Sequence, residues 1–194
     1  MIPTSPQDSN ASNDQGKHAE RLGLLGQEQM SEHQRRLANG LINGPRKGVV
    51  GPFVPLLYTP RILEVVEPLG SELRFRGELD RRVHELVVCF VAARTKNKFE
   101  WDVHSQSARD LGIAAQQIEA LHDEIAPSDL LPREDAALQF VQQLLTSNRV
   151  DDDVFSKAVE FFGSSGVVEL TAVTGYFTMA CWLINITEST SAWM

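Results

Sequence analysis

Two glutamates and one histidine lie close together in residues 85–104, and their side-chain types could support proton transfer. Glu85, Glu100 and His104 combine two carboxylates with an imidazole, whose unperturbed pKa of about 6.5 suits acid or base chemistry near neutral pH. Glu100 and His104 are four residues apart, so on a helix they share a face. Glu85 joins them only if its own helix folds back as a hairpin. We therefore predict an acid–base site at these three residues.

The residues around this site predict two consecutive helices that would form the hairpin. Apolar residues at helical spacing favour a helix from Asp80 to Lys96. The run Asn97-Lys-Phe-Glu100 is typical of a capping box that opens the next helix, which ends at Gly112. Glu100 therefore also has a structural explanation as a capping carboxylate, and His104 has one as a core histidine.

The rest of the chain also favours helices, and no stretch shows sustained period-two alternation, so we predict an all-α fold. We expect an ordered apolar loop over Gly44–Pro60, a helix from Pro60 that Pro68 breaks after one or two turns, and a further helix ending at Gly163. The remaining predicted helices cover residues 18–42, 114–125, 132–147 and 167–186. The last of these is as long as a membrane span, but its polar residues favour a buried core or subunit-interface helix.

Composition along the chain predicts one folded domain with additions at both ends. Residues 1–17 are polar and we expect a disordered N-terminal arm there. We expect a helical extension over 18–48, a single helical domain over 49–187, and a short C-terminal tail over 188–194.

The overall charge and the cysteine content exclude several function classes. The formal net charge of −8 argues against a nucleic-acid partner or an anionic membrane surface. The two cysteines form no Cys-x-x-Cys, and the five histidines show no metal-ligand spacing, so we expect no metal and no cofactor. The N-terminus lacks a basic region followed by an apolar run, so we expect a cytoplasmic protein.

Several short motifs, in a fixed order, resemble a known superfamily. The motifs are Arg82-x-x-Glu85-Leu86, Phe99-Glu-Trp-x-x-His104, Ala108-x-x-x-Gly112-Ile113, Val168-Glu-Leu170 and Gly175-Tyr176. In this order they resemble the carboxymuconolactone decarboxylase and alkyl hydroperoxidase D-like superfamily over roughly residues 50 to 187. The resemblance implies an alkyl hydroperoxidase D-like helical fold that assembles as a homo-oligomer, a trimer or a hexamer, with active sites near subunit interfaces.

The same resemblance separates two activities. The peroxidase branch of the superfamily uses a glutamate, a Cys-x-x-Cys pair and a histidine. Glu85 and His104 match the glutamate and the histidine, but the two cysteine positions fall on Asn97 and Glu100. Without the dithiol a thiol peroxidase cycle has neither nucleophile nor resolving partner at that site. The resemblance therefore implies an enzyme of the decarboxylase type, a cofactor-free carboxy-lyase acting on a small cyclic carboxylated substrate such as a lactone.

Under this hypothesis His104 protonates the carbon that CO₂ leaves, or passes the proton with Glu85, while Glu100 assists. We assign substrate binding to Arg82, Trp101, Asn97 and Cys89, and we expect an arginine from residues 74–82 to hold another carboxylate or the lactone oxygen. Two alternatives stay open: a non-catalytic oligomeric module that binds a small molecule, and an alkyl hydroperoxidase D-like antioxidant protein. In each case the expected partners are a small molecule and further copies of the chain, without nucleic acid or membrane.

Overall fold

The structure is a computed structural model that describes residues 21–188. This part of the chain contains eight helices and no strand, which confirms the predicted all-α class. The helices are α1 (Glu32–Asn43), α2 (Phe53–Leu56), α3 (Pro60–Phe75), α4 (Arg81–Arg94), α5 (Lys98–Asp110), α6 (Ala115–His122), α7 (Pro132–Ser147) and α8 (Asp152–Thr187). The predicted arm over 1–17 and residues 189–194 of the predicted tail lie outside the described residues, and the domain boundaries stay predictions.

Helix α4 is the central element, because it packs against α5, α6, α7 and α8. It begins where the Asp80 carboxylate accepts the backbone N–H of Arg82 at 2.9 Å, a conventional N-cap. Most of its side chains are buried on all sides, including Val87 and Val91. Because other helices surround α4, side chains on all of its faces are covered, and Glu85 has no exposed surface.

A tight turn reverses the chain between α4 and α5 and forms the predicted hairpin. Lys96 adopts a left-handed backbone conformation with a φ of 53°. Asn97 then caps α5, because its side-chain oxygen accepts the backbone N–H of Glu100 at 2.9 Å, as the sequence predicts. The Glu100 carboxylate makes no return bond to the cap, so the capping box is incomplete. That carboxylate is therefore available to the site.

The N-terminal region differs from its prediction in extent and agrees with it in packing. Helix α1 begins at Glu32 and not near residue 18, because Ser31 and Gln34 form a capping box there. The apolar segment Gly44–Pro60 is ordered and buried as expected, although it contains the short helix α2. Gly51 has a φ of 55° and lies against the Phe99 ring, where any side chain would collide. The segment therefore packs directly on the start of α5.

Helix α3 contradicts the predicted break at Pro68, because it continues to Phe75. Proline removes one backbone hydrogen bond, here the one to the carbonyl of Glu64. Both Pro68 and Glu64 lie on the exposed side of the helix, so water can satisfy that carbonyl. The continuous helix is what carries Arg74 to the site.

Helix α8 consists of two helices joined at Gly163, as the sequence predicts. Gly163 has a φ of 65° and a ψ of 179°, values that interrupt the helical path. By length and hydropathy α8 could cross a membrane, but half of its most apolar window is buried within the fold. Leu170, Val173 and Cys181 belong to the main core, which is the arrangement of a core helix.

Candidate active site

Glu85 and His104 form a buried hydrogen-bonded pair at the centre of the fold. The Oε2 atom of Glu85 lies 2.6 Å from Nδ1 of His104, and neither residue has exposed surface. The α4–α5 hairpin creates this contact by placing α4 against α5. A carboxylate can only accept at this distance, so Nδ1 carries the proton and Nε2 is left to exchange protons with other groups.

Glu100 completes the group on the other side of the imidazole. Its Oε2 atom lies 3.3 Å from Nε2 of His104, one turn along α5, close enough for an ion pair. The contact is not aligned as a hydrogen bond, so Nε2 is a buried ring nitrogen without a hydrogen-bond partner. Glu85, His104 and Glu100 therefore form a relay in which the contact between His104 Nε2 and Glu100 is not a hydrogen bond. The structure brings together all three residues predicted for acid–base chemistry.

The electrostatics of the relay favour a charged imidazole. Burial alone would lower the pKa of His104, but Glu100 and Glu85 together raise it above its ordinary value. Burial alone would raise the pKa of Glu85, but the hydrogen bond from His104 and the nearby His84 ring hold it well below its usual range. Both shifts favour a carboxylate beside an imidazolium. This state supplies a proton at Nε2.

A cavity of about 320 Å³ adjoins the relay at Glu100. Glu100 lines the cavity, whereas His104 lies behind Glu100 and does not reach the wall. The wall is mainly apolar, with five aromatic residues, and contains two arginines. It is formed by Pro45, Arg46, Val50, Pro52, Phe53, Arg74, Phe75, Phe99, Glu100, Val103, Tyr176, Phe177 and Ala180. A larger groove of about 530 Å³ between α1 and α3 shares Pro45, Arg46 and Phe75 with it, but the relay residues are not among its lining. The cavity beside Glu100 is the candidate substrate site.

His84 is a second buried histidine beside the relay, and sequence reasoning missed it. Its Nδ1 atom lies 3.6 Å from Oε1 of Glu85, beyond hydrogen-bond length, and neither ring nitrogen has a hydrogen-bond partner. The ring packs edge-on against Phe177 with centroids 5.6 Å apart. Burial lowers the pKa of His84, so this imidazole is neutral at pH 7. Its position directly before Glu85 was the only available signal.

The four predicted substrate-binding residues lie apart from the cavity wall. Arg82 donates to Glu134 at 2.8 Å and to the Leu111 carbonyl at 3.0 Å. Trp101 packs on the His122 ring, and Asn97 adjoins the same surface depression. Cys89 is fully buried in the core, where burial raises the pKa of its thiol to about 12. Their assignment to substrate stays a prediction.

Metal ligands were not expected, and the geometry offers no set that would hold one. Within residues 21–188 no group of three histidine, cysteine, aspartate or glutamate side chains is arranged to bind a metal ion. The expectation of a site without a metal stays a prediction.

Comparison with known proteins bears on this geometry at the level of family and fold. Residues 60–143 match the carboxymuconolactone decarboxylase family. The matched segment contains Glu85, Glu100 and His104, so the whole relay lies inside it, whereas Arg46 precedes it. The resemblance read from the motifs is confirmed. A search of curated proteins finds no match to the sequence.

Solved structures share the fold over most of the chain. An uncharacterized peroxidase-related protein from Ralstonia eutropha JMP134, described as an alkylhydroperoxidase AhpD core, superimposes with a TM-score of 0.71 at 16% identity, over 87% of this chain and 90% of that one. An uncharacterized peroxidase-related protein from Silicibacter sp. TM1040 gives 0.68 at 18% identity, over 90% and 92%. A protein of unknown function from Agrobacterium tumefaciens gives 0.62 at 18% identity, over 73% and 97%. At these identities the similarity establishes an AhpD-like fold.

Proposed function

We propose that this protein catalyses cofactor-free decarboxylation, or a closely related proton transfer, on a small cyclic carboxylated substrate of the lactone type. The observation that carries the proposal is the Glu85–His104–Glu100 relay, which is buried at one end and meets a cavity at the other. Such an arrangement holds a proton beside a cavity that a small substrate can occupy. The match of residues 60–143 to the carboxymuconolactone decarboxylase family supports the reaction class.

The position of Glu100 at the cavity wall favours Glu100 over His104 as the group that acts on the carbon. When the bond to the carboxylate breaks, CO₂ leaves and the electron pair stays on the ring carbon, where the lactone carbonyl delocalises it. His104 passes the proton at Nε2 to the Glu100 carboxylate, and Glu100, at the cavity wall, delivers that proton to the carbon. Glu85 holds Nδ1 and stabilises the imidazolium before the transfer. Solvent restores the proton, so the cycle needs no oxidant or reductant.

Turnover of 4-carboxymuconolactone, the substrate for which the family is named, is the direct test. Ultraviolet absorbance would follow turnover by the wild type and by His104→Gln. His122→Gln is the control, because His122 is an exposed histidine. We expect His104→Gln to lose on the order of 10²- to 10⁴-fold in kcat, because proton transfer contributes about this much. Wild-type turnover in His104→Gln, with folding verified by circular dichroism, would contradict the proposal.

The cysteines give little support to a thiol peroxidase, the activity suggested by the peroxidase-related neighbours. Cys89 and Cys181 are both fully buried. Burial raises the pKa of each thiol to about 12, so neither is a thiolate at neutral pH. Hydroperoxide reduction that persists after both cysteines are replaced would need a different explanation from thiol chemistry.

A non-catalytic binding module is the second candidate function, because the cavity and its arginines would serve binding without turnover. The titration of His104 distinguishes the two, since a relay that exchanges protons with substrate changes its titration when a ligand binds. Exposed apolar side chains on one face of α8, namely Val168, Trp182 and Ile186, support assembly into a homo-oligomer under either function.

A further inference from the structure

Two arginines at the cavity wall have buried nitrogens without partners. The side chain of Arg46 is 9% exposed, and its Nε and Nη2 atoms make no hydrogen bond to any described residue. The Nε atom of Arg74 is likewise buried and without a partner. The carboxylate nearest Arg46 is that of Glu67, 3.5 Å from Nε, a distance that permits an ion pair but is not a hydrogen bond here. Buried donors of this kind normally have a hydrogen-bond partner, so the lack of one here points to a ligand that would supply it.

The two guanidinium groups lie near each other on one aromatic side chain. The Arg46 and Arg74 guanidiniums are 5.6 Å and 5.5 Å from the centre of the Phe75 ring, and Arg46 also lies 4.7 Å from that of Phe53. Burial lowers the pKa of Arg74, and the positive charge of Arg46 lowers it further, although Glu85 and Glu100 act in the opposite direction. Two partly dehydrated cations that contact one ring and line one cavity are stabilised by an anion bound in that cavity.

A hydroxyl donor adjoins the same place. Gly70 on α3 has no side chain, and the Tyr176 hydroxyl and Arg46 Nη2 both approach the helix in the space a side chain would fill. Burial raises the pKa of Tyr176 to about 12, so the hydroxyl keeps its proton at neutral pH. Arg46, Arg74 and Tyr176 therefore all border the cavity as donors, and Glu100 borders it as the proton-transfer group.

We propose that Arg46 and Arg74 form an anion-binding site that recognises a carboxylate which the substrate keeps through the reaction. This assignment rests on the proposed function for the identity of the reacting group. An arginine clamp on the leaving carboxylate would stabilise the substrate more than the transition state, in which that charge moves away, so it would slow the reaction. A clamp on a retained carboxylate stabilises both states equally and orients the ring toward Glu100.

The proposal also identifies a specificity determinant outside the family segment. Arg46 and Phe53 precede residue 60, where the match to the carboxymuconolactone decarboxylase family begins. The cavity volume of about 320 Å³ is at the lower end for small-molecule sites, which suits one small ring with its carboxylates. The segment 44–53 thus supplies one of the two arginines of the anion site, while the relay on α4 and α5 performs the chemistry.

Calorimetric binding of isophthalate, a ring with two carboxylates, tests the site without turnover. The comparison ligand is isophthalamide, which has the same shape and no charge. The variants are Arg46→Gln and Arg74→Gln, with Arg61→Gln as the control, because Arg61 is an exposed arginine on the same helix as Arg74. We expect isophthalate to bind wild type at least about tenfold more tightly than isophthalamide, and each cavity variant to weaken it by about tenfold or more.

The same calorimetric measurements can reject the Arg46–Arg74 anion site. Isophthalate binding that is absent in wild type, equal to that of the diamide, or unchanged in both arginine variants would reject the anion site.

If Arg46→Gln unfolds, Arg46→Lys keeps the charge without the paired donors, and we expect an intermediate loss of isophthalate affinity. A His104→Gln protein that binds isophthalate like wild type but has no turnover separates this site from the relay. Turnover that is unchanged by both arginine substitutions would reject the anion site and leave the proposed function intact.

Discussion

Two buried clusters of charged residues share helix α4, and they differ in how completely they are paired. In the first, Glu134 accepts hydrogen bonds from Arg82 at 2.8 Å and from the backbone N–H of Leu131 at 3.0 Å. In the second, Glu85 accepts from His104, but the far nitrogen of the imidazole has no aligned partner. The paired cluster can only hold α4 to α7. The incomplete cluster borders a cavity and can still exchange a proton with a ligand, which is why burial alone does not identify a functional carboxylate.

Replacing Glu100 with glutamine should give the largest difference between the clusters. Glutamine preserves shape but cannot accept and release the proton, so we expect kcat to fall by about 10²- to 10⁴-fold. Glu134→Gln is the matched change in the paired cluster, and we expect it to leave kcat within about twofold, since Glu134 does not line the cavity. Steady-state rates on the same substrate decide the matter. Equal losses in both variants would mean that the second cluster is not specifically catalytic.

Removing Arg82 tests the paired cluster by its stability. In Arg82→Met the buried Glu134 carboxylate loses its partner, and we expect the free energy of unfolding to fall by about 3 kcal/mol. The control is Arg76→Met, which breaks an exposed ion pair with Glu72 and should cost less than about 1 kcal/mol. Urea denaturation measures both. If Arg82→Met instead abolished ligand binding at unchanged stability, Arg82 would be the substrate ligand that the sequence predicted.

The two histidines beside Glu85 should give opposite pH dependences, the smallest of the expected effects. His104 has a raised pKa in the folded protein, so its contribution to stability is complete below about pH 6.5 and is lost as the pH rises through the folded value. His84 has a lowered pKa, so its contribution is present above about pH 6.5 and is lost as the pH falls.

Unfolding free energies of His104→Gln and His84→Gln, each relative to wild type between pH 5 and pH 9, measure this contrast. We expect the penalty of His104→Gln to shrink above pH 6.5, and that of His84→Gln to shrink below it, by up to about 1.4 kcal/mol per pH unit. Parallel profiles for the two variants would show that the two imidazoles do not differ in charge.

Local patterns in the sequence were sufficient for the relay but not for the cavity. Glu100 and His104 share a helix, and the Asn97 cap fixed the turn that returns Glu85 to them, so the three could be placed from short-range signals. Arg46 lies in an apolar segment without periodicity, and only tertiary packing brings it to the cavity. The Pro68 prediction failed for a related reason, because whether a helix tolerates proline depends on which side faces water.

The position of Gly51 has a consequence for how such a protein could change during evolution. Its bare backbone lets the segment 44–53 lie on the Phe99 ring, so the segment forms one wall of the cavity that Glu100 also lines. Substitutions in this stretch can therefore alter which molecule is accepted while the proton-transfer residues stay fixed. Exchange of residues 44–53 between relatives would replace Arg46, one of the two arginines of the proposed anion site, and would leave the relay and Arg74 in place.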